Sequence, residues 1–412
     1  MKAANAQVYA SHIAEAASLG ADILVFPEYG LTGESSAPKR LWVSGGYTEV
    51  IPLPDGSVPC DSGVDAPTIV ALSCAAREHA IAVVANLMDY TDGNMYNTDV
   101  AFDTDGVLLA KYHKLNMWGE PNVDVPSDCG EGVFTTTFGV TFGMFTCADI
   151  MYQYPTLDLV SKGVTDFVMP AAWSNEMADM QVMGYAQGWS YLHQTNLVLS
   201  NLRGGTSSGS GVWFHGESRA TTYNPDYTEG SVHVTDMVDA GLRVSAPQSR
   251  VNLTSSSKWS FAPLTEGTVC SGSVCCTVGV SSAGDSGWVV AALDGQDEDG
   301  GVSWGAQVCA VLPCSQLSSE CLTYHQPTVA LKNMTLKMSG ISEGSAVIPE
   351  IVAWSGQAEV TLDRSAISFE SLPGSFSVAT TSDTPLASAV VYGRPLVRDQ
   401  LPYQCPASRM YI

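Results

Sequence analysis

Three residues whose side chains could act together on an amide lie directly after predicted strands. Cys147 follows the apolar run 140–145, Glu28 follows 23–26, and Lys114 closes the run 108–114. A thiolate can attack a carbonyl carbon, a carboxylate can take the thiol proton, and an ammonium group can stabilise the oxyanion that forms. The combination predicts hydrolysis of an amide through a thioester on Cys147.

Each of these residues also has a structural explanation when it is considered alone. Buried free cysteine is common in protein cores, so the Cys147 thiol could be inert. Glu28 could be a solvated acid at a strand end, and Lys111, His113 and Lys114 could form an exposed basic stretch. The catalytic hypothesis therefore depends on the fold bringing the three residues together.

The first 200 residues alternate between helical and strand patterns, which predicts α/β architecture. A hairpin is predicted from strands 97–102 and 107–113 across the turn Asp103-Thr-Asp-Gly106, and it leads directly to Lys114. The other predicted elements of this part are an alanine-rich helix that ends at Leu19, strand 23–26, helix 68–79, strand 81–87, strand 140–145, helix 155–162, strand 167–169, helix 176–194 and strand 197–200.

The pattern changes in the second half of the chain. The glycine-rich stretch 204–211 lacks a following Lys-Ser/Thr pair, so we interpret it as a turn-forming loop near a site and not as a phosphate cradle. Beyond about residue 232, short β-branched runs alternate with Ser/Gly turns. We therefore predict two domains, an α/β domain over 1–232 and a β-rich domain over 233–412.

Composition excludes several classes of partner. The chain has 18 Lys and Arg against 42 Asp and Glu, a formal charge of -24, so nucleic acid and anionic membranes would be repelled. The sequence has no run near the ~18 apolar residues of a membrane span. Histidines are few and Cys-x-x-Cys pairs are absent, so we expect neither a metal nor another cofactor.

The eleven cysteines predict a disulfide framework with one thiol left out. Cys60 and Cys74 are the best candidates for one pair, and the adjacent Cys275 and Cys276 are expected to bond to different partners. Sequons at Asn252 and Asn333 agree with passage through an oxidising secretory route. The polar first residues do not resemble a signal peptide, so we expect a truncated N-terminus.

The segments around the three candidate residues resemble the motifs of the nitrilase superfamily, which carries Glu, Lys and Cys in this chain order. The matching segments are Phe26-Pro-Glu28, Tyr112-His-Lys114-Leu-Asn116 and Phe145-Thr-Cys147-Ala-Asp149. Further segments resemble the vanin and biotinidase branch of that superfamily: Tyr96-Asn-Thr-Asp-Val-Ala-Phe-Asp103, Val83-Val-Ala-Asn86, Pro170-Ala-Ala-Trp173-Ser-Asn175, Val269-Cys270 through Cys276 and Val391-Tyr-Gly393.

This resemblance implies a fold and a set of residue roles. The fold is a four-layer αββα sandwich followed by a smaller β-rich domain of the vanin type. Glu28 would accept protons, Lys114 would stabilise charge and donate a proton, and Cys147 would be the nucleophile. Glu120 resembles a second glutamate that supports Lys114, although its spacing is one residue shorter than in some vanins.

Two features of the resemblance concern the pocket and the start of the chain. Trp173 and Asn175 are candidates to line the acyl pocket, although Trp173 could equally be a core residue. The family begins with a strand before its first helix, and nothing here precedes Lys2 that could form it, which also favours truncation.

The resemblance leaves three functions open. The first is a secreted amidohydrolase of linear carboxamides, with pantetheine as its leading substrate. The second is a biotinidase-like activity on biotin amides, with aliphatic nitrile hydrolysis less favoured. The third is a secreted, non-catalytic binding protein on a nitrilase scaffold, which the presence of all three motif residues disfavours.

Overall fold

A computed structural model describes most of the 412 residues. The described residues are 2–34, 37–127, 129–204, 207–223, 232, 235, 243–244, 259–282, 287–299, 301–314, 317, 319–322, 331–354, 359–362, 364–381 and 386–395. We call residues 2–223 the α/β region and residues 259–395 the β-rich region.

The α/β region alternates helices and strands as the sequence predicts. Its α-helices are α1 Lys2–Ser18, α2 Lys39–Ser44, α3 Pro59–Ser62, α4 Pro67–His79, α5 Asp158–Ser161 and α6 Val182–His193. Its strands, with the short β12 that follows them, are β1 Ile23–Val25, β2 Thr48–Glu49, β3 Ala82–Thr91, β4 Asn94–Phe102, β5 Leu108–His113, β6 Val133–Thr135, β7 Thr141–Met144, β8 Asp166–Ala171, β9 Asn196–Asn201, β10 Ser210–Phe214, β11 Glu217–Thr222 and β12 Arg243–Val244.

Two sheets lie between two helical layers in this region. The first sheet has the order β1-β3-β4-β5, with β2 beside β3, and α1 and α4 cover its outer face through one apolar cluster. The second sheet has the order β12-β11-β10-β9-β8-β7-β6, and α6 packs against it. The predicted αββα sandwich is therefore confirmed.

The β-rich region is a sandwich of two mainly antiparallel sheets, and this prediction is also confirmed. One sheet has the order β13-β16-β17-β23-β19-β20 and the other β14-β15-β18-β22-β21. The strands are β13 Ser260–Pro263, β14 Thr268–Ser271, β15 Val274–Ser282, β16 Trp288–Asp299, β17 Val302–Pro313, β18 Lys332–Ser339, β19 Ala346–Trp354, β20 Glu359–Thr361, β21 Ile367–Leu372, β22 Ser375–Thr380 and β23 Leu386–Arg394.

The six-stranded sheet of the β-rich region is buried on both faces. Along β16, Val290 and Ala292 face the core between the two sheets of the sandwich. Val289, Ala291 and Leu293 face the core of the α/β region instead. Because side chains alternate across a strand, burial of both faces calls for apolar residues at successive positions, as over 289–293. All nine residues of β23 are buried in this way.

Close contact between the two regions depends on a glycine in α6. A Cβ added at Gly188 would lie 1.9 Å from the carbonyl oxygen of Pro349, a residue of β19. Real Cβ atoms do not approach backbone oxygens so closely, so Gly188 lets helix and strand pack in direct contact. The packing between the regions is therefore continuous with the two cores.

Two predicted helices differ from the observed ones. Helix α6 begins at Val182, six residues later than predicted, because the Val182 N–H donates to Asn175 Oδ1 at 2.9 Å and the Gln181 N–H donates to Glu350. Such side-chain acceptors define a helix start. The predicted helix 155–162 consists of a short π-helical turn, Gln153–Leu157, followed by α5.

The disulfides follow the predicted framework. Cys60 and Cys74 are bonded, and Cys275 and Cys276 have different partners, Cys270 and Cys309. Cys314 bonds to Cys321, and Cys129 is also disulfide-bonded. Within the described part of the chain, the free cysteine is Cys147. The prediction of one excluded thiol is therefore confirmed for these residues.

Candidate active site

Glu28 lies at the carboxyl end of β1, almost completely buried between the two sheets. One carboxylate oxygen, Oε1, accepts hydrogen bonds from Lys114 Nζ at 2.8 Å and from Asn97 Nδ2 at 2.7 Å. The other, Oε2, accepts the Ala172 N–H at 2.8 Å. Burial raises the pKa of Glu28, and the charge of Lys114 opposes that rise. A carboxyl with a raised pKa is suited to exchange protons near neutral pH.

Lys114 lies between two carboxylates directly after β5. Its Nζ is 2.8 Å from Glu28 Oε1 and 3.0 Å from Glu120 Oε2, and only 1% of the residue is exposed. Burial alone would lower the pKa of Lys114, but Glu120 and Glu28 outweigh it and hold that pKa well above its usual value. The site therefore contains a charged ammonium group at neutral pH.

Glu120 is fixed by four donors. The Tyr29 hydroxyl and Asn97 Nδ2 donate to its Oε1, the latter at 2.9 Å, and Lys114 and the Trp118 N–H contact its Oε2. Burial would raise the pKa of Glu120, but the Lys114 charge and these hydrogen bonds lower it overall. Glu120 is therefore an ionised partner that holds the ammonium in place.

Cys147 occupies a sharp turn between β7 and the 3₁₀ helix Cys147–Met151. Its φ of 48° is in the left-handed region that residues other than glycine rarely adopt. Such backbone strain is concentrated at functional sites, where the surrounding structure holds it in place. Here the turn places the thiol where Glu28 and Lys114 act on it electrostatically.

The Cys147 thiol is neutral in the resting site. Burial, followed by the charge of Glu28, raises the pKa of Cys147 well above its usual value. Lys114 and the Ala172 N–H oppose this rise without reversing it. Because only the thiolate is strongly nucleophilic, a neighbouring base must remove the proton as the thiol attacks.

A chain of hydrogen bonds between buried polar side chains connects Glu28 to the Cys147 turn. Asn86 Nδ2 donates to Asn97 Oδ1 at 2.6 Å and to Asp99 Oδ1 at 2.7 Å. The Thr146 hydroxyl, one residue before Cys147, donates to Asp99 Oδ2 at 2.6 Å. Burial raises the pKa of Asp99 to about 8. Asp99 thus joins the two sheets directly behind the reactive residues.

Asp149 fixes the other side of the Cys147 turn. Its carboxylate accepts the Thr146 N–H at 3.0 Å and the Tyr112 hydroxyl at 2.8 Å, and Asn116 donates to it through its backbone and its side chain. Burial raises the pKa of Asp149 to about 6. These bonds link the turn to the segment that follows Lys114.

Trp173 and Asn175 lie just after β8, and both are buried. Trp173 donates from its ring nitrogen to the Met180 carbonyl at 3.0 Å and is part of the main apolar core. Asn175 donates to the Ser208 carbonyl at 2.7 Å and accepts the Val182 N–H. These contacts show how both side chains are held, and their assignment to the acyl pocket stays a prediction.

The structure brings Glu28, Lys114 and Glu120 into direct contact, with Cys147 beside them. Sequence analysis assigned no role to the residues that hold this cluster: Tyr29, Asn86, Asn97, Asp99, Thr146, Asp149 and Ala172. The signal that could have revealed some of them is polar side chains at alternate positions of β4, a strand that is otherwise buried. The catalytic roles of the four predicted residues stay predictions.

Comparison with known proteins identifies the family. The carbon-nitrogen hydrolase family model matches residues 1–198, and the vanin C-terminal domain model matches residues 251–399. The fold and the first match define a carbon-nitrogen hydrolase of the nitrilase superfamily. The chain belongs to the vanin and biotinidase branch of that superfamily, as the second match and its relatives show.

Several characterised relatives are similar to this chain. The pantetheinase of Bos taurus is 27% identical over 95% of this chain and 83% of its own length, and that of Homo sapiens is 27% identical over 96% and 83%. The biotinidase of Takifugu rubripes is 34% identical over 51% of this chain and 45% of its own length. The protein is thus an amidohydrolase of the nitrilase type.

Two further findings concern the surroundings of the protein. Within the described residues, no helix combines the length and the apolarity that a membrane crossing requires. The disulfide-bonded cysteines indicate an oxidising environment. They are the pairs Cys60–Cys74, Cys270–Cys275, Cys276–Cys309 and Cys314–Cys321, together with Cys129.

Proposed function

We propose that this protein hydrolyses pantetheine, a linear carboxamide, to pantothenate and cysteamine. The observation that carries the chemistry is the buried cluster of two carboxylates and an ammonium beside the free thiol in a strained turn. The substrate is supported by the pantetheinase relatives, which match nearly the whole chain, whereas the biotinidase relative matches half of it.

In the first half of the reaction, the Cys147 Sγ bonds to the amide carbon while Glu28 takes the thiol proton. The carbonyl π electrons move to oxygen, and Lys114 and the N–H of Ala148 stabilise the resulting oxyanion. Glu28 then gives its proton to the amine nitrogen, and the carbon-nitrogen bond breaks. The amine leaves, and the acyl group remains on Cys147 as a thioester.

In the second half, water replaces the amine. Glu28, again ionised, takes a proton from water while the water oxygen bonds to the thioester carbon. The same donors stabilise the second oxyanion, which collapses and breaks the carbon-sulfur bond. The thiolate regains the proton from Glu28, so the acid is released and the resting site returns. Glu120 remains ionised throughout and keeps Lys114 in place.

Charge favours a neutral substrate. The cluster of Glu28, Glu120 and Lys114 has a formal charge of minus one when both carboxylates are ionised. Glu34 lies close enough for burial and the charges of Glu28 and Glu120 to raise its pKa. A chain with a net charge of -24 further repels phosphorylated relatives of pantetheine. Trp173 and Asn175, which follow β8, are the proposed walls of the acyl pocket.

We also propose where the protein acts and where its two domains meet in the sequence. The disulfides and the exposed sequon at Asn333 support a secreted glycoprotein, which acts outside the cell without a cofactor. The domain boundary is proposed at 232/233, between the two family matches, which end at 198 and begin at 251, and the short strand β12 that follows it pairs back onto β11 of the α/β sheet.

Parallel assays test the substrate. Release of cysteamine from pantetheine is measured beside cleavage of biocytin at matched concentrations, with Cys147→Ala as the blank. We expect a much higher kcat/KM for pantetheine. Faster biocytin turnover would instead establish the biotinidase-like activity.

Mass spectrometry separates an enzyme from a binding protein. Acid quenching during turnover should trap an acyl group on Cys147 of the wild-type protein. Absence of both turnover and acylation with every amide tested would support the non-catalytic binding function.

A further inference from the structure

The hairpin of β16 and β17 extends from the β-rich region to the loop that carries Glu120. Trp118, on the segment between β5 and β6, donates from its ring nitrogen to Asp299 Oδ2 at 2.9 Å. The ring of Trp304, on β17, lies against the Trp118 ring with centroids 4.6 Å apart. Trp118 is thus held by one hydrogen bond and one aromatic contact from the other region.

Trp118 is connected to the reactive cluster through its backbone. Its N–H donates to Glu120 Oε2 at 3.1 Å. That same oxygen contacts Lys114 Nζ at 3.0 Å. A displacement of Trp118 would therefore move the oxygen that holds the ammonium group.

The hairpin is much better fixed than the loop it contacts. Its two strands pair continuously from Trp288 opposite Pro313 to Asp299 opposite Val302. Trp304 is completely buried, and its ring nitrogen donates to the Tyr392 hydroxyl at 2.6 Å. The described residues between β5 and β6, 114–127 and 129–132, contain no helix or strand. Contacts from outside must therefore set the position of that segment.

A second contact from the β-rich region reaches the Cys147 turn. Arg394, at the end of β23, donates from Nε to the Met151 carbonyl at 3.1 Å. Met151 is the last residue of the 3₁₀ helix that begins at Cys147. The same region thus contacts both loops on which the reaction depends.

We propose that Asp299 and Trp304 are positioning residues of the active site, which hold Trp118 so that Glu120 keeps the Lys114 ammonium in its reactive position. The β-rich region is then part of the catalytic apparatus. This inference rests on the proposed amidase chemistry of Glu28, Lys114 and Cys147.

A positioning role of Asp299 and Trp304 predicts a kinetic effect that a purely structural role would not produce. Loss of the Asp299 acceptor frees Trp118, so Glu120 holds Lys114 less firmly. The oxyanion is then less well stabilised in the transition state, so kcat falls while KM changes little. Because Glu120 helps to raise the pKa of Lys114, the alkaline limb of the kcat profile should also move to lower pH.

The experiment is a double-mutant cycle with Asp299→Ala and Glu120→Gln. Asp299→Ala should lower kcat about 10-fold, the loss expected for a hydrogen bond to a charged group. In the Glu120→Gln background the same change should have less than about a 2-fold effect, since the path is already broken. Asp299→Asn keeps an acceptor oxygen and should restore most of kcat.

Two further variants keep the test decisive. Glu298→Ala changes the exposed neighbouring acid on the same strand and should leave kcat unaltered. Trp118→Phe keeps an aromatic ring but lacks the N–H, so it should reproduce the kcat loss and the shift of the alkaline limb. Trp118→Phe tests the positioning role by itself if Asp299→Ala does not fold.

The outcomes separate the inference from the proposed function. Wild-type kcat and pH profile in Asp299→Ala and Trp118→Phe, or fully additive losses in the cycle, would overturn the positioning role. Either result leaves the proposed amidase chemistry intact, provided that Lys114→Ala is impaired. Full activity of Lys114→Ala would overturn the proposed chemistry itself.

Discussion

The two regions of the molecule are stabilised in different ways. The α/β region buries charged and polar groups, among them Glu28, Lys114, Asp99 and Asp149, and satisfies them with ion pairs and hydrogen bonds within and between its sheets. Burying such groups costs free energy unless each one is paired. The region therefore carries a reactive interior whose stability depends on the pairing of these four groups.

The β-rich region has an apolar interior reinforced by covalent bonds. The core between its sheets consists of aliphatic, aromatic and methionine side chains and includes the Cys276–Cys309 disulfide. Close-packed apolar side chains and a disulfide stabilise this core, whose members carry no charge. The contrast indicates that a rigid, chemically inert region supports a strained, reactive one, and four predictions test it.

The largest expected effect concerns the thiol. Cys147→Ala should abolish turnover while the melting temperature changes little, because the replaced Sγ contributes chemistry and little packing. Cys147→Ser should be inactive as well. Assays of turnover and thermal unfolding check both variants, and wild-type activity in either would remove Cys147 as the nucleophile.

The second effect concerns the ammonium group. Lys114→Ala should lower kcat by at least about 10²-fold, the usual result of removing an oxyanion stabiliser. It should also lower the free energy of unfolding by about 3–5 kcal/mol, because two buried carboxylates lose their partner.

Lys111→Ala is the matched control for this prediction. Lys111 lies on β5, three residues before Lys114, and pairs with buried Asp89 at 2.7 Å. We expect it to reduce stability but not kcat per folded molecule. A Lys114→Ala effect confined to KM would make Lys114 a substrate-binding residue.

The third effect compares disulfides in the two regions. Replacing Cys276 and Cys309 together with alanine should lower the free energy of unfolding by about 2–5 kcal/mol. The corresponding replacement of Cys60 and Cys74 should cost about 0.8 kcal/mol less on loop entropy alone, because the separations are 33 and 14 residues. Urea unfolding of the two double variants measures the difference, and a larger loss for Cys60 and Cys74 would contradict this account of the β-rich region.

The fourth effect is a pH dependence of stability in the α/β region. The folded protein holds the Asp99 proton up to about pH 8, whereas the ordinary pKa is 3.8. A raised pKa in the folded state means that folding takes up a proton in this window. The stabilising contribution is therefore complete below pH 3.8 and is lost as pH rises through about 8.

Asp99→Asn tests this prediction because it cannot titrate. Between about pH 5 and about pH 8, calorimetry should show wild-type stability falling more steeply than that of the variant, by up to about 1.4 kcal/mol per pH unit. Asp149, with its pKa raised to about 6, adds the same sign in the lower part of this window in both proteins. Parallel curves would show that Asp99 is ionised in the folded state.

Much of this could be predicted from the sequence because it is encoded locally. Strand periodicity and the Asp103–Gly106 turn predict the hairpin that ends at Lys114, and the structure has β4 and β5 there. The odd number of cysteines predicts one excluded thiol, and the short separation of Cys60 and Cys74 in the sequence favours their pairing. Each of these signals lies within a few residues or in a simple count.

Other features could not be predicted because they join distant segments. The start of α6 at Val182 depends on acceptors from Asn175 and from Glu350, 169 residues away from Gln181. The bond from Trp118 to Asp299 spans 181 residues. Helical propensity and periodicity carry no information about such partners.

By itself, the sequence determined the types of reactive groups, their order, the α/β and β-rich halves and the family. Only the tertiary structure decided that Glu28 and Glu120 both contact Lys114, that Asp99 links Asn86 to the Cys147 turn, and that a hairpin from the β-rich region reaches Trp118. The physical reason is that hydrogen bonds and ion pairs form over about 3 Å. Only the folding of the whole chain brings residues so far apart in sequence to that distance.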